Sequence, residues 1–173
     1  MLFRSLVTGL FRQHDNAGKA FNAALKLGYQ KDEISILMSE ETKHKHSHER
    51  RHPELLIEDE AIEGAGVGGS LGVTTGAIIG ALVALGTFIA ISGFGIAVSG
   101  PIATWLSGVA AGGVSGGLVG ALINMGISEN HAEHFKKELQ SGAILIIITP
   151  HSEVDRKILE TEWINYEGIV LST

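Results

Sequence analysis

Three features of the sequence predict an α+β fold: a strand-helix-strand pattern near the start, a second one at the end, and between them a glycine-rich stretch, residues 64–128, without a single charged residue or histidine. Pairing the two flanking units gives a ferredoxin-like split βαβ + βαβ sandwich, in which a four-stranded sheet carries two helices on one face. The central stretch then interrupts the sandwich as a long glycine-zipper α-helical hairpin. An open sheet of another strand order is the rival arrangement, since pattern alone does not fix topology. Composition divides the chain into residues 1–52 (first βαβ half and a His-rich loop), 53–128 (the hairpin) and 129–173 (a helix and the second βαβ half).

The first unit opens with the short apolar run Leu6 to Phe11. Asp15 is placed to cap a helix that brings Ala17, Phe21, Ala24 and Leu25 onto one face and ends at Gly28. Ile34, Ile36 and Met38 alternate with polar neighbours, the pattern of a half-buried strand. After Ser128 an amphipathic helix carries Ala132, Phe135 and Leu139 as its core stripe. Ala143 to Thr149 is a nearly continuous aliphatic and β-branched strand ended by Pro150. Ser152 can cap the next helix, with Val154, Ile158 and Leu159 expected inward; Gly168 stops it, and Ile169 to Leu171 form the last strand.

Eighteen of the 23 glycines fall in the middle stretch. They form two ladders with a four-residue step, Gly64, Gly68, Gly72, Gly76 and Gly80, then Gly108, Gly112, Gly116 and Gly120. Each glycine in a solvated helix is unfavourable by roughly 1 kcal/mol relative to alanine. At i, i+4 spacing, however, the glycines share one face and form a smooth groove where a second helix can approach closely. Opposite the groove stand Ile78, Ile79, Leu82, Val83 and Ile89, and on the second segment Ile102, Trp105, Leu106, Leu118, Leu122 and Ile123. Ser92 to Pro101 reads as the turn, with Pro101 as first residue of the returning helix.

Each arm is long enough, at about 25 residues, to cross a bilayer core of about 30 Å. That places the hairpin in a bacterial inner membrane with both termini cytoplasmic and lipid as a partner. The stretches Gly64 to Gly76 and Ser107 to Gly117 are only weakly apolar. The alternative that these stretches allow is a soluble, cytoplasmic homo-oligomer whose hairpins are buried between subunits. The start of the chain, MLFRSLVTGLFRQ, is too soon interrupted by Arg12 to be a secretory leader.

A net charge of −6, with thirteen Lys and Arg scattered among nineteen carboxylates, argues against a nucleic-acid partner. With no cysteine, thiolate chemistry and Cys-type zinc sites are excluded.

The segments Val7-Thr8-Gly9-Leu10-Phe11 through Ala17, Leu27-Gly28-Tyr29 and Ile34-Ser35-Ile36, the turn Gly93-Phe94-Gly95 to Gly100-Pro101, and Gly126-Ile127 opening a helix together carry a resemblance. The chain resembles the bacterial general-stress or low-temperature-induced proteins with a central glycine-zipper hairpin, over nearly its whole length. Its His-rich stretch and the Trp163-Ile164-Asn165-Tyr166 helix end depart from that pattern. The resemblance implies stress association and membrane contact, and no reaction or catalytic residue.

Two groups of histidines are candidate ligands for a divalent transition metal. His44, His46, His48 and His52 lie in KHKHSHERRH, where an extended backbone would turn the first three to one side. Lys43, Lys45, Arg50 and Arg51 would repel a cation there, so the simpler reading is a solvated loop, or one that meets anionic lipid headgroups. His131 and His134, with Glu138, fall on one helix face; that face is otherwise a plain solvated one. Gly64-Ala65-Gly66-Val67-Gly68-Gly69 matches GxGxxG but lacks the preceding strand and the following acidic residue of a dinucleotide site. Nothing resembles a nucleophile elbow or a paired-carboxylate cleft. The expectation is a non-enzymatic, stress-associated protein that partners itself, with no small-molecule substrate identified.

Overall fold

The computed structural model describes residues 5–49, 88–91, 95–111 and 117–173, with the side chains of 46–49 and 108–111 left aside. Along the chain run β1 (Val7–Phe11), α1 (His14–Lys26), a 3-10 turn (Lys31–Glu33), β2 (Ile34–Ser39), α2 (Glu40–Glu49), β3 (Ile89–Ile91) and β4 (Ile96–Ser99). Then follow α3 (Pro101–Ala111), α4 (Gly117–Asn124), α5 (Glu129–Gln140), β5 (Ile144–Ile148), α6 (Glu153–Asn165) and β6 (Ile169–Ser172). The strands form one antiparallel sheet in the order β3-β4-β2-β5-β1-β6. The chain is thus a mixed α/β protein with a six-stranded antiparallel sheet and, among the described residues, six α-helices.

β5 lies inside the sheet, with Ile144 opposite Phe11 of β1 and Ile148 opposite Ile34 of β2. All five of its side chains are buried, because both faces of the sheet are covered. On one face Ile144, Ile146 and Ile148 join Phe21 of α1 and Leu159 and Trp163 of α6. On the other, Leu145 and Ile147 join Leu106 of α3, Leu118 and Leu122 of α4, and Phe135 and Leu139 of α5. β2 is buried at all six positions for the same reason, so the half-exposed strand expected there is corrected.

Several expected boundaries hold. Pro101 opens α3, Ser152 Oγ accepts from Asp155 N at 3.1 Å to cap α6, and Ala132, Phe135 and Leu139 are the buried stripe of α5. Others shift. α1 begins one residue before Asp15, with Gln13 at the N-cap position and Asp15 in the first turn. On α6, Val154 and Ile158 are 66% and 38% exposed, and the inward positions are Leu159 and Trp163. The reason is Trp163: its ring lies over Gly9, where an added Cβ would come within 3.0 Å of Trp163 Cζ3, and its Nε1 donates to Ala20 O. That seating rotates the Val154 and Ile158 stripe outward.

The middle third differs most from expectation. Residues expected as the end of one helical arm and as its turn supply β3 and β4, which extend the sheet beside β2. The returning arm is represented by α3, eleven residues, and α4, eight residues; Gly117 has φ +59°, a value outside a continuous right-handed helix. No helix among the described residues is long and apolar enough to cross a membrane. This overturns the inner-membrane assignment, since eleven residues of helix span only about 16 Å. Of the apolar stripe meant for lipid, Ile102, Leu106, Leu118 and Leu122 cover the sheet and Ile89 and Ile123 are exposed, while Ile78, Ile79, Leu82 and Val83 lie outside the described residues. Gly108 falls in α3 and Gly120 in α4. Gly64, Gly68, Gly72, Gly76, Gly80, Gly112, Gly116, His52, the GxGxxG string and the tip of the turn at 92–94 lie outside the described residues.

α3 is anchored by a tight corner. Gly100 adopts φ +91°, and a Cβ there would sit 2.8 Å from Ser35 Cα and closer still to Ile34 O. Ile102 N donates to Ser35 Oγ at 3.2 Å beside it. Replacing Gly100 by alanine both strains the backbone and pushes α3 off β2, so Gly100→Ala is expected to lower the unfolding free energy in urea by about 2–3 kcal/mol. Thr8 on β1 is fully buried and its Oγ1 has no hydrogen-bond partner among the described residues. Removing that hydroxyl in Thr8→Val should therefore stabilise the chain by about 1 kcal/mol in the same measurement.

Candidate functional site

At one end of the sheet the start of β2 and the end of β5 lie side by side, which gathers polar side chains from four segments. Gln30 and Glu33 bracket the 3-10 turn as a reciprocal capping box, with Gln30 N donating to Glu33 Oε2 at 2.7 Å. The other carboxylate oxygen of Glu33 is 2.9 Å from His151 Nε2. The His151 ring stacks on Tyr29, centroids 4.3 Å apart and planes 20° from parallel. His151 N donates to the Tyr29 hydroxyl at 2.9 Å, and that hydroxyl donates to Asp155 Oδ2 at 3.1 Å. The Gln30 amide, and then the His151 ring, hold the Glu33 carboxyl below the usual carboxylate range. Burial raises the Tyr29 phenol above its ordinary value; the His151 N–H opposes this and the Asp155 acceptor reinforces it.

At the other end, Arg12 follows β1 and grips Glu138 of α5 through two hydrogen bonds, Nε to Oε2 at 2.8 Å and Nη2 to Oε1 at 2.9 Å. The guanidinium, mainly by hydrogen bonding and then by charge, holds the Glu138 carboxyl low. His134 Nε2 is 3.9 Å from Glu138 Oε1, and His131 Nδ1 bonds Ser128 Oγ at 2.6 Å. His14 Nε2 meets Gly142 O at 2.9 Å and ties α1 to the turn before β5.

Among the described residues, the sequence-predicted histidines form no metal-ligating group of three or more. His44, His46 and His48 lie on α2, whose backbone turns about 100° per residue, so the extended geometry that would align all three is absent. His131 and His134 share α5, but the carboxylate between them and a metal, Glu138, is already occupied by Arg12. Among the described residues no group of three or more His, Asp or Glu side chains is arranged to hold a metal ion. The Tyr29, Glu33, His151 and Asp155 cluster was not singled out from the sequence. Its signals were Gln30 and Glu33 three apart, and the Pro150-His151-Ser152 entry to α6. Its side chains bond one another: Glu33, Tyr29 and Asp155 clamp the loop between β5 and α6.

The outer surface of α3 and α4 is chemically distinct from both clusters. Thr104, Ser107, Ile123 and Asn124 are exposed there, and Val119 and Gly120 half-exposed. Ile123 retains 41% of its surface. No position from Gly64 to Ser128 is charged, so this layer turns outward a face with no ionic group, unlike α1, α5 and α6. Two helices without an outward charge lack the usual means of keeping a surface solvated. Comparison with family models, with curated proteins and with solved structures finds no match for the chain.

The clusters set the pH response. Glu33 and Glu138 have lowered folded-state values, so the stability they supply is present above the unfolded carboxylate value and lost as pH falls through the folded one. Tyr29 is raised, so its contribution is present below the unfolded phenol value of about 10 and lost as pH rises beyond it. Urea midpoints measured across pH are expected to fall on the acid side below about pH 4 and on the alkaline side above about pH 10. Tyr29→Phe should shrink the alkaline limb to the part supplied by Tyr166, whose phenol is likewise raised, mainly by burial and then by its bond to Glu162, and leave the acid limb in place.

Proposed function

We propose that this chain is a non-enzymatic, stress-associated protein that works by self-association, with its glycine-rich insertion serving contact with a second copy. The observation that carries this reading is the charge-free outer face of α3 and α4, on which Ile123 is exposed. Burying such a face against an identical one removes apolar surface from water and breaks no ion pair. Gly120 on α4 supports close approach, because a helix surface without a side chain lets a neighbouring backbone come near.

The strand order β2-β5-β1-β6, with α1 and α6 packed on one face, supports a ferredoxin-like core extended by β4 and β3. In this reading the insertion has two tasks. Its returning part closes the second face of the sheet, and what it leaves outward is the association surface. The stress association rests on the resemblance of the βαβ units and of the glycine ladders. The engaged side chains of the two polar clusters support a non-enzymatic role.

The test is native mass by light scattering or sedimentation. The wild-type chain is expected to form a defined assembly, and Ile123→Lys, which places a charge on the face at an exposed position, is expected to reduce its mass at least to half at the same concentration. A wild-type monomer at tens of micromolar, or an Ile123→Lys assembly of unchanged mass, overturns the reading.

A further inference from the structure

α2 follows β2 directly and is anchored by Thr42, which is 3% exposed; its N donates to Ser39 Oγ at 3.1 Å and its Oγ1 lies 2.8 Å from the same oxygen. The helix runs from Glu40 to Glu49 and carries His44, His46 and His48. A helical backbone advances about 100° per residue. His44 and His48, four positions apart, therefore share one face of α2 one turn from each other, whereas His46 stands about 160° around the helix from both. His46 comes one turn after the buried Thr42 and shares its side of the helix. His44 is exposed.

We propose that His44 and His48 form a two-imidazole chelate for a divalent transition metal of the zinc, nickel and copper class, with water in the remaining coordination positions. Residues four apart on a helix have Cβ atoms about 5–6 Å apart, and the two histidines of the helical HExxH zinc motif have the same spacing. Imidazole is a ligand these metals share. Two protein ligands make an open, exchangeable site, in contrast to the four of a closed structural one.

The basic neighbours that oppose a cation in an extended segment are set aside on a helix. Lys43 and Lys45 each stand about 100° around from His44. Lys45 Nζ is also 3.4 Å from Glu41 Oε1. Glu40 and Glu41 precede His44 by four and three positions, on its own side of the helix, and both are exposed. Two carboxylates thus accompany two ammonium groups, and the carboxylates stand closer to the histidine face. The helix therefore replaces the set of three alternate histidines with one pair, and it gives that pair acidic company.

Zinc is the probe, titrated into the untagged full chain in competition with a chromogenic chelator. His44→Gln and His48→Gln are each expected to weaken the tightest site roughly fivefold or more, since either leaves one imidazole and forfeits the effective concentration of the second. The double variant is expected to bind within about twofold of the singles, because the chelate is already lost. His46→Gln is expected to stay within about twofold of the wild type, being on another face. Glutamine is a good helix former, and circular dichroism checks that each variant keeps its helicity. Should His46→Gln fold poorly, the comparison of double with single variants decides alone. A wild-type chain that binds zinc no more tightly than His44→Gln or His48→Gln overturns the proposal. So does a loss in His46→Gln as large as in the pair, the outcome of an extended segment, or single losses that multiply in the double variant, the outcome of two independent imidazoles. Ile123→Lys is expected to leave zinc affinity unchanged, so failure of the α3 and α4 face and failure of this site are read separately.

Discussion

The centre of the molecule is a strand that water can touch on neither side. Ile144, Leu145, Ile146, Ile147 and Ile148 are each at most 1% exposed, and they alternate between two apolar layers. A strand of this composition leaves the chain no two-layer solution, because whichever face lacked helices would present isoleucine or leucine to solvent. α1 and α6 cover one face. The other face requires a second set of helices, and the chain supplies α3, α4 and α5. The returning part of the glycine-rich insertion is therefore part of the folding problem of the sheet, and Ile102, Leu106, Leu118 and Leu122 have an intramolecular use.

Covering both faces explains the placement of the unusual residues. Trp163 fits between α6 and the sheet only because Gly9 offers no side chain beneath it, and its edge meets Phe11 with ring centroids 5.9 Å apart. Gly168 makes the same allowance for Phe11, where an added Cβ would lie 2.6 Å from its ring. On the opposite face Gly100 lets the corner before α3 press onto β2, and the Ser35 hydroxyl receives the first free amide of that helix. Close packing on two sides leaves little room for chemistry inside the sheet. The polar side chains are accordingly at its two ends, where they join loops to helices: Tyr29, Glu33, His151 and Asp155 at one, Arg12 and Glu138 at the other.

What stays outward after both faces are closed is then informative. α3 and α4 show a surface without ionic groups, while β6, at the end of the sheet, has Glu160 of α6 bonded to Ser172 beside it.

Much of this was readable from residue order. The β1, β2, β5 and β6 strands, the helices after Arg12, Ser128 and Ser152, and the opening of α3 at Pro101 follow from apolar periodicity and from capping and breaking residues, which act within a few positions of themselves. The unbroken run from Ala143 to Thr149 even carried the hint that both faces of the sheet are covered. Other features depended on partners far away in the chain. An uncharged stretch states that it must leave water, but lipid, a second subunit and the chain's own sheet satisfy that demand equally; only the open second face beside Leu145 and Ile147 decided among them for the returning arm. The outward turn of Val154 and Ile158, the capture of Glu138 by Arg12 and the stacking of His151 on Tyr29 were likewise settled by tertiary contacts. Local sequence determined which residues form strands and helices and that the middle must be buried. The tertiary structure decided against what, because burial is a demand any apolar surface can meet and the nearest unmet one lay in the same chain.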